Sequence, residues 1–446
     1  MTSRRDFITK AALGGAAVTL GGSAMAMPAK SYRNIIGAND RLNIGIAGLG
    51  RRWGGYIEPI IRKESNVKLL YLCDVMVSQR ERALKHFHEK SGYKPEIIND
   101  MNQILDDKDV DVFINSTPDH WHTPGAILAM KAGKDVYVEK PCSHNMWENE
   151  LIVEAAKKYD KVVQMGNQQR SSSLSQEIIK EIHNGVIGKP YKAVAFYTNS
   201  RGEVPTQKKA APPQGLDWNL FQGPAPHREY TDNTWDYNWH WYGWDFGTAE
   251  AGNNATHELD IARWALGVNY PLHADVWAEK LQFENDGWEM YDTMQATFKF
   301  PEGKIIEWDG KSRNGYDTYG AGRGTIIYGS EGSVFIDRGG YKLFDRAGKV
   351  VKDSSSATAE AGTALGGGGD LTTGHMVNFF DAVRGKAKLT APIDDATVSM
   401  AMVHYANLAY RTGKGFDIDD KTGKIYDRDA MKLWGREYEN GWKPQI

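Results

Sequence analysis

Cysteine is nearly absent from this chain: Cys73 and Cys142 are the only two among 446 residues. So few thiols exclude a disulfide-stapled scaffold and a cysteine-based zinc centre. No Cys/His spacing suited to metal ligation occurs, and no metal is expected. A basic excess is lacking as well. The formal net charge is -3, which leaves no electrostatic footprint for nucleic acid. Long apolar runs are also missing, because the one near the N-terminus is too short and too rich in Gly and Ala to span a bilayer well. No stable membrane insertion is therefore expected. With 41% hydrophobic and 25% charged residues, the composition is that of a soluble globular chain long enough for two domains. Aromatic residues, by contrast, are plentiful. Fourteen Trp and 21 Tyr exceed the usual needs of a core, and such rings also form the walls of carbohydrate sites.

The first 26 residues have the character of an address. Arg4 and Arg5 are followed by Phe7, Lys10, a mild Ala/Gly/Leu/Val stretch and Ala24-Met25-Ala26. This is the pattern of a twin-arginine signal with cleavage before Met27, which implies export of the folded chain to the periplasm. Its removal leaves a net charge near -5. Residues 27–40 read as an extended arm.

From Arg41 the chain alternates strand and helix patterns: "LNIGIAGLG", a helix over about 53–63, "NVKLLYLCD", "SQRERALKHFHEK", a short helix over 101–105, "DVFINSTP", "TPGAILAMKAG", "DVYVEKP", "MWENELIVEAAKKYD" and "VVQMGNQ". Such alternation predicts βαβ units around a parallel sheet, and strands apolar on both faces fit a sheet covered by helices. The two cysteines then fall near the ends of strands about three positions apart, roughly 14 Å at ~4.8 Å per strand. Two free, buried thiols are expected. Beyond Gln168 the character changes. Residues 201–247 form a long Trp-, Pro- and Asn-rich loop, "GNNATHELDIARWALG" a helix, and residues 272–350 a run of antiparallel strands. A low-complexity loop follows at 354–370, then two amphipathic helices. The predicted architecture is α/β at 41–167 and α+β at 168–446.

"IGIAGLGRRWGG" follows the first strand. Gly48 and Gly50 fit a dinucleotide turn: Gly48 permits the turn, and Gly50 the approach of backbone to a pyrophosphate at a helix N-terminus. Leu49, Arg51 and Arg52 belong to the same turn. The third fingerprint position is Trp53 rather than Gly or Ala, and Gly54 comes next. Either the helix starts one residue late or a bulky side chain is tolerated. Asp74 closes the second strand. It is placed either to bind the adenosine ribose hydroxyls, which favours NAD over NADP, or to cap the next helix. Arg51 and Arg52 keep NADP open.

Ligands of open parallel sheets bind beyond the carboxyl ends of the strands. There lie Ser116, Thr117, Pro118 and His122 in "STPDHWH", and Glu139-Lys140-Pro141. A lysine beside a reacting alcohol stabilises developing alkoxide. Glu139 either holds that lysine or touches the cofactor ribose. Pro141 sets the backbone, as a cis or a trans bond.

The Gly turn, "STPDHWH" and "EKP", in this order, resemble the Gfo/Idh/MocA oxidoreductase family over about 41–440. The resemblance implies an N-terminal Rossmann NAD(P)-binding domain and a C-terminal domain with a large, mainly antiparallel open sheet, often the oligomer interface. It also implies a catalytic triad of the E-K-P lysine with an Asp and a His spaced D-x-x-x-H. Lys140 and His257 match, whereas the Asp position is Asn253, which keeps the shape but cannot ionise. His257 would take the hydroxyl proton as hydride leaves for the nicotinamide, a task suited to imidazole. Taken without the family, His257 reads rather as a satisfied helix histidine.

Gln168 and Arg170 read as cofactor or substrate contacts or as a plain hinge. Trp239, Trp241, Tyr242 and Trp244, in "WDYNWHWYGWDFG", read as a sugar wall or as a loop packing its own rings. The expected activity is oxidation of a secondary alcohol of a sugar, glycoside or cyclitol by a tightly held NAD(P). The alternative is a glycosidase of the family's α-N-acetylgalactosaminidase-like branch, which oxidises a ring carbon transiently, eliminates and re-reduces. A homodimer or homotetramer is expected.

Overall fold

The computed structural model describes residues 40–354 and 369–446. The expected signal and arm, up to residue 39, and most of the expected low-complexity loop lie outside the described residues. The first sheet comprises β1 (Leu42–Ala47), β2 (Val67–Cys73), β3 (Glu96–Ile98), β4 (Val112–Asn115), β5 (Asp135–Val138) and β6 (Val163–Met165). All pairings are parallel, in the order β3-β2-β1-β4-β5-β6. Helices α1 (Gly54–Ile61), α2 (Val77–Ser91), α3 (Asn102–Asp106), α4 (Asp119–Lys131) and α5 (Met146–Lys158) make the connections. The order reverses between β1 and β4, which opens a crevice at their carboxyl ends. Three-residue β3, too short for an apolar pattern, was not expected from the sequence. As expected, Cys73 and Cys142 are free and buried, with β2 and β5 three positions apart.

A 3₁₀ turn (Gln168–Ser171) leads to α6 (Ser173–His183) and β7 (Pro190–Thr198). After the long loop, with its short α7 (Trp218–Gln222), come a π turn (Ala251–Ala255) and α8 (Thr256–Leu266). Strands β8 (His273–Glu279), β9 (Thr293–Lys299), β10 (Ile305–Lys311), β11 (Arg323–Gly329), β12 (Gly332–Ile336), β13 (Tyr341–Asp345) and β14 (Val350–Asp353) follow. Then come α9 (Gly369–Val383), α10 (Ile393–Thr412), β15 (Phe416–Asp417) and α11 (Arg428–Lys432). The second sheet has nine strands in the order β14-β13-β12-β11-β7-β10-β9-β8-β15. It is antiparallel throughout except where β7 lies parallel to β10. Alternate residues are buried, as in Ile306, Trp308 and Gly310 of β10, because α8 and α10 cover one face and leave the other open.

One helix crosses the expected domain boundary. Met376, Phe379 and Phe380 of α9 share an apolar core with Ile44 and Ile46 of β1, Tyr56 and Ile57 of α1, and Tyr137 of β5. The nucleotide-binding core is thus completed by chain far beyond residue 167.

Candidate active site

The turn after β1 is built on close approach. Gly48 has φ +91°, and a Cβ there would lie 2.2 Å from the Ser116 carbonyl oxygen. The Asp74 carboxylate accepts from the Leu49 N–H at 2.7 Å and from the Met76 N–H at 2.9 Å. It therefore ties the turn to the residue before α2 without capping the helix itself, while still lining the cavity. Helix α1 starts at Gly54, one residue late. Two expected cofactor contacts are corrected here: the Leu49 and Trp53 side chains are 0% and 2% exposed and pack in the core, Trp53 against Phe87. Gly50 and Gly54 line the cavity, and a Cβ on either would meet nothing within 4 Å.

The two arginines of the turn are already engaged. The Arg51 guanidinium lies 3.8 Å from the centre of the Tyr237 ring. Arg52 pairs with Glu139 at 2.8 Å and donates to Thr372 Oγ1 at 3.1 Å. Glu139 therefore holds Arg52 rather than the Lys140 ammonium, and it also accepts from Tyr56 and Gln168. Burial pushes its pKa up, but the Arg52 charge and these donors win and hold it below the usual carboxylate range.

Lys140 leads into a cis bond to Pro141. Its Nζ donates to the backbone carbonyl of Asn253 at 2.6 Å. Burial lowers its pKa, against the pull of Asp119 and Glu139. Asn253 lies in the π turn, a widened turn that recurs at functional sites. Gly252 allows that turn to sit close, since a Cβ there would lie 1.8 Å from Thr248 Oγ1. Thr248 donates from its N–H and Oγ1 to buried Asp119 at 3.1 and 2.6 Å, which binds the start of α4 to the second domain.

Glu250, which the sequence did not single out, organises the turn. Its buried carboxylate accepts from Asn253 Nδ2 (3.0 Å), Asn254 Nδ2 (2.8 Å), Trp241 Nε1 (3.0 Å) and Ser312 Oγ (2.5 Å). A carboxylate can only accept, so the Asn253 amide nitrogen must face Glu250 and Oδ1 points away. One turn on, His257 lines the same cavity. No described residue hydrogen-bonds its ring. Burial, then the charges of Arg338, Lys140 and Arg323, hold its pKa well below the usual histidine value, so the ring is neutral.

Lys140, Asn253, His257, Asp74, Gly48, Gly50, Arg51, Arg52, Ser116, Thr117, Pro118, His122, Glu139 and Gln168 all line a single cavity of about 490 Å³. His122 is pinned there, with its ring nitrogens 2.6 Å and 2.7 Å from the Pro141 and Thr117 carbonyl oxygens. Of the expected sugar wall only Trp239 lines the cavity, stacked on His240 with ring centres 3.6 Å apart. Trp241 stacks on Trp288 in the core, Tyr242 is 0% exposed and donates to the Pro205 carbonyl, and Trp244 packs beside Tyr410. The other large rings in the lining are Trp235, Tyr237, Trp121 and Trp442. Arg170 is a second correction: it makes a bidentate pair with Asp260, 2.7 Å at both contacts, and reaches Asp395 at 3.1 Å, away from the cavity.

The cavity fits a nicotinamide dinucleotide: a tight Gly turn, open space above Gly50 and Gly54, a strand-end carboxylate, and a lysine and a histidine in the same lining. Fold and site together are those of a two-domain chain with a Rossmann dinucleotide-binding half. The family models described as "Oxidoreductase family, NAD-binding Rossmann fold" and "Oxidoreductase family, C-terminal alpha/beta domain" match residues 42–167 and 179–418, and the chain belongs to this Gfo/Idh/MocA family. Among curated relatives, a glycosyl hydrolase family 109 protein of Shewanella baltica (strain OS195) is 27% identical over 186 residues, 41% of this chain and 40% of its own. An inositol 2-dehydrogenase of Salmonella paratyphi B (strain ATCC BAA-1250 / SPB7) is 28% identical over 168 residues, 37% of this chain and 48% of its own. The matches thus span less than half of these relatives. An aldose-aldose oxidoreductase from Caulobacter crescentus, solved with glycerol, shares the fold with a TM-score of 0.62 at 19% identity, covering 85% of this chain and 100% of its own.

Proposed function

We propose that the protein oxidises a secondary alcohol of a sugar, glycoside or cyclitol. The observation that carries this reading is the convergence of Lys140, His257 and Asn253 on the same cavity that the Gly turn lines, with the lysine bonded to the Asn253 carbonyl. Bound NAD supplies the hydride acceptor. The neutral His257 ring accepts the hydroxyl proton, the state a base requires. Lys140, aimed by the Asn253 carbonyl, donates to the substrate oxygen and stabilises its developing charge. Asn253 Oδ1, turned away from Glu250, accepts from a neighbouring substrate hydroxyl. Trp239 and Trp235, which line the cavity, are the aromatic side chains we assign to the sugar.

A glycosidase acting by transient ring-carbon oxidation is the second reading. It is favoured by the similarity to the glycosyl hydrolase family 109 protein. The deciding experiment takes protein purified without added nucleotide, adds sugars and aryl glycosides, and follows near-ultraviolet nicotinamide absorbance and aglycone together. Lasting reduction without aglycone supports the oxidoreductase, and aglycone without net reduction supports the glycosidase. Neither signal from any sugar overturns both.

The twin-arginine motif supports export to the periplasm with the cofactor already bound. Because free nicotinamide is scarce there, the cofactor would stay on the enzyme and be regenerated by a second substrate. The open face of the second sheet, with Trp277 52% exposed, supports a homo-oligomer that covers it. Sedimentation showing a monomer at working concentration would refute that assembly.

A further inference from the structure

The charges around His257 do not balance. Three of the four cations that act on His257 have a carboxylate near them: Arg52 pairs with Glu139 at 2.8 Å, Arg323 pairs with Glu258 at 2.7 Å, and Lys140 feels Asp119. Arg338 lines the same cavity and, among the described residues, makes no ion pair or hydrogen bond. The carboxylate that acts on it, Glu258, is already held by Arg323.

The neighbours of Arg338 make this arrangement more costly. Strand β12 ends at Ile336, so Arg338 lies in the turn that follows, and among the charges that act on it the Arg323 guanidinium is the strongest. Like charges brought together repel, and a partly buried cation without a partner is costly. The turn presenting Arg338 is nonetheless firmly built. Asp337 accepts from the Gly339 and Gly340 N–H groups at 2.7 and 3.0 Å, and the Asp337 carbonyl accepts from Gln169 at 2.8 Å. Arg338 is therefore held in place, beside the proposed base: its charge acts on His257 more strongly than that of Lys140.

We infer that the substrate is an acidic sugar, a uronate or aldonate, whose carboxylate is bound by Arg338 together with Arg323. A single excess cation matches a carboxylate better than a phosphate dianion. Burial and Arg323 push the Arg338 guanidinium down to about 9, and a bound anion would reverse that. The same anion would offset the positive field that weakens His257 as a base, so the base would be most effective when the acidic substrate is in place.

This inference refines the sugar oxidoreductase reading and rests on it, but binding and turnover test the two apart. NAD-loaded protein is titrated with D-glucuronate, D-galacturonate and D-gluconate, each against its neutral sugar. Binding is read by tryptophan fluorescence, and turnover by nicotinamide reduction. We expect at least one acid to bind over tenfold more tightly than its neutral partner. Arg338→Met should abolish that preference, Arg338→Lys should keep part of it, and both should leave NAD affinity within about twofold. If no acid is preferred, or if Arg338→Met leaves a preference intact, the inference fails. Parallel loss of NAD affinity would overturn it too, by assigning Arg338 to the cofactor. If acids bind with Arg338-dependent preference but no sugar reduces NAD, the subsite stands and the oxidoreductase reading falls.

Discussion

The ammonium of Lys140 donates to the main-chain carbonyl of Asn253 across 2.6 Å, which joins the end of β5 to the π turn before α8. Because the acceptor is backbone, the lysine is aimed independently of the side chain at 253, and the departure from Asp there leaves its placement intact. Lys140→Met should lower kcat about a hundredfold or more while leaving NAD affinity nearly unchanged. Equal loss of both, measured by stopped-flow reduction and cofactor titration, would contradict this assignment.

Asn253→Asp would set a second carboxylate 3.0 Å from buried Glu250. We expect a stability loss of about 2–4 kcal/mol rather than a gain in activity. Glu250→Gln should rescue the variant, because a carboxamide can donate to the new carboxylate. A double-mutant cycle by urea unfolding measures the coupling, and additive effects would mean that the two residues do not interact.

Arg170→Ala leaves Asp260 buried with its charge unpaired. The expected cost is about 3–5 kcal/mol of stability, with KM for sugar unchanged in the folded fraction. A raised KM at unchanged melting temperature would instead return Arg170 to the substrate site.

Stability should fall with acid well above the carboxylate range. Burial lowers His120, His240 and His404 to about 3 and His375 to about 4. Between these values and the unfolded value near 6.5, the unfolded chain binds more protons than the native one. Stability therefore rises with pH across that window, by up to about 1.4 kcal/mol per pH unit for each ring. Asp74 and Asp119, raised by burial, oppose the trend at its acidic end. Urea midpoints at about pH 7 and about pH 5 should differ clearly, and equal midpoints would be incompatible with neutral buried rings.

The Gly turn, Asp74, Lys140 and His257 were legible in the sequence because each belongs to a short motif with a fixed place on a strand or helix end. Arg170 was misread because its partners, Asp260 and Asp395, are distant in sequence and announce nothing locally. Aromatic density drew attention to 235–247 but did not reveal direction: Trp239 faces the cavity while Trp241, two residues on, stacks in the core. Glu250 and Arg338 were invisible for the same reason. Their significance depends on what folding brings near them, an amide cluster for one and the charge of Arg323 for the other.

The contribution of α9 to the first core also bears on how the protein is made. When the ribosome has released the βαβ half, Ile44, Ile46 and Tyr56 still lack Met376, Phe379 and Phe380, which emerge some two hundred residues later. The nascent nucleotide-binding half would thus carry an uncovered apolar flank for much of synthesis, a state prone to aggregation unless it is shielded. The cofactor pocket is consequently a late product of translation, assembled only when nearly the whole polypeptide is available.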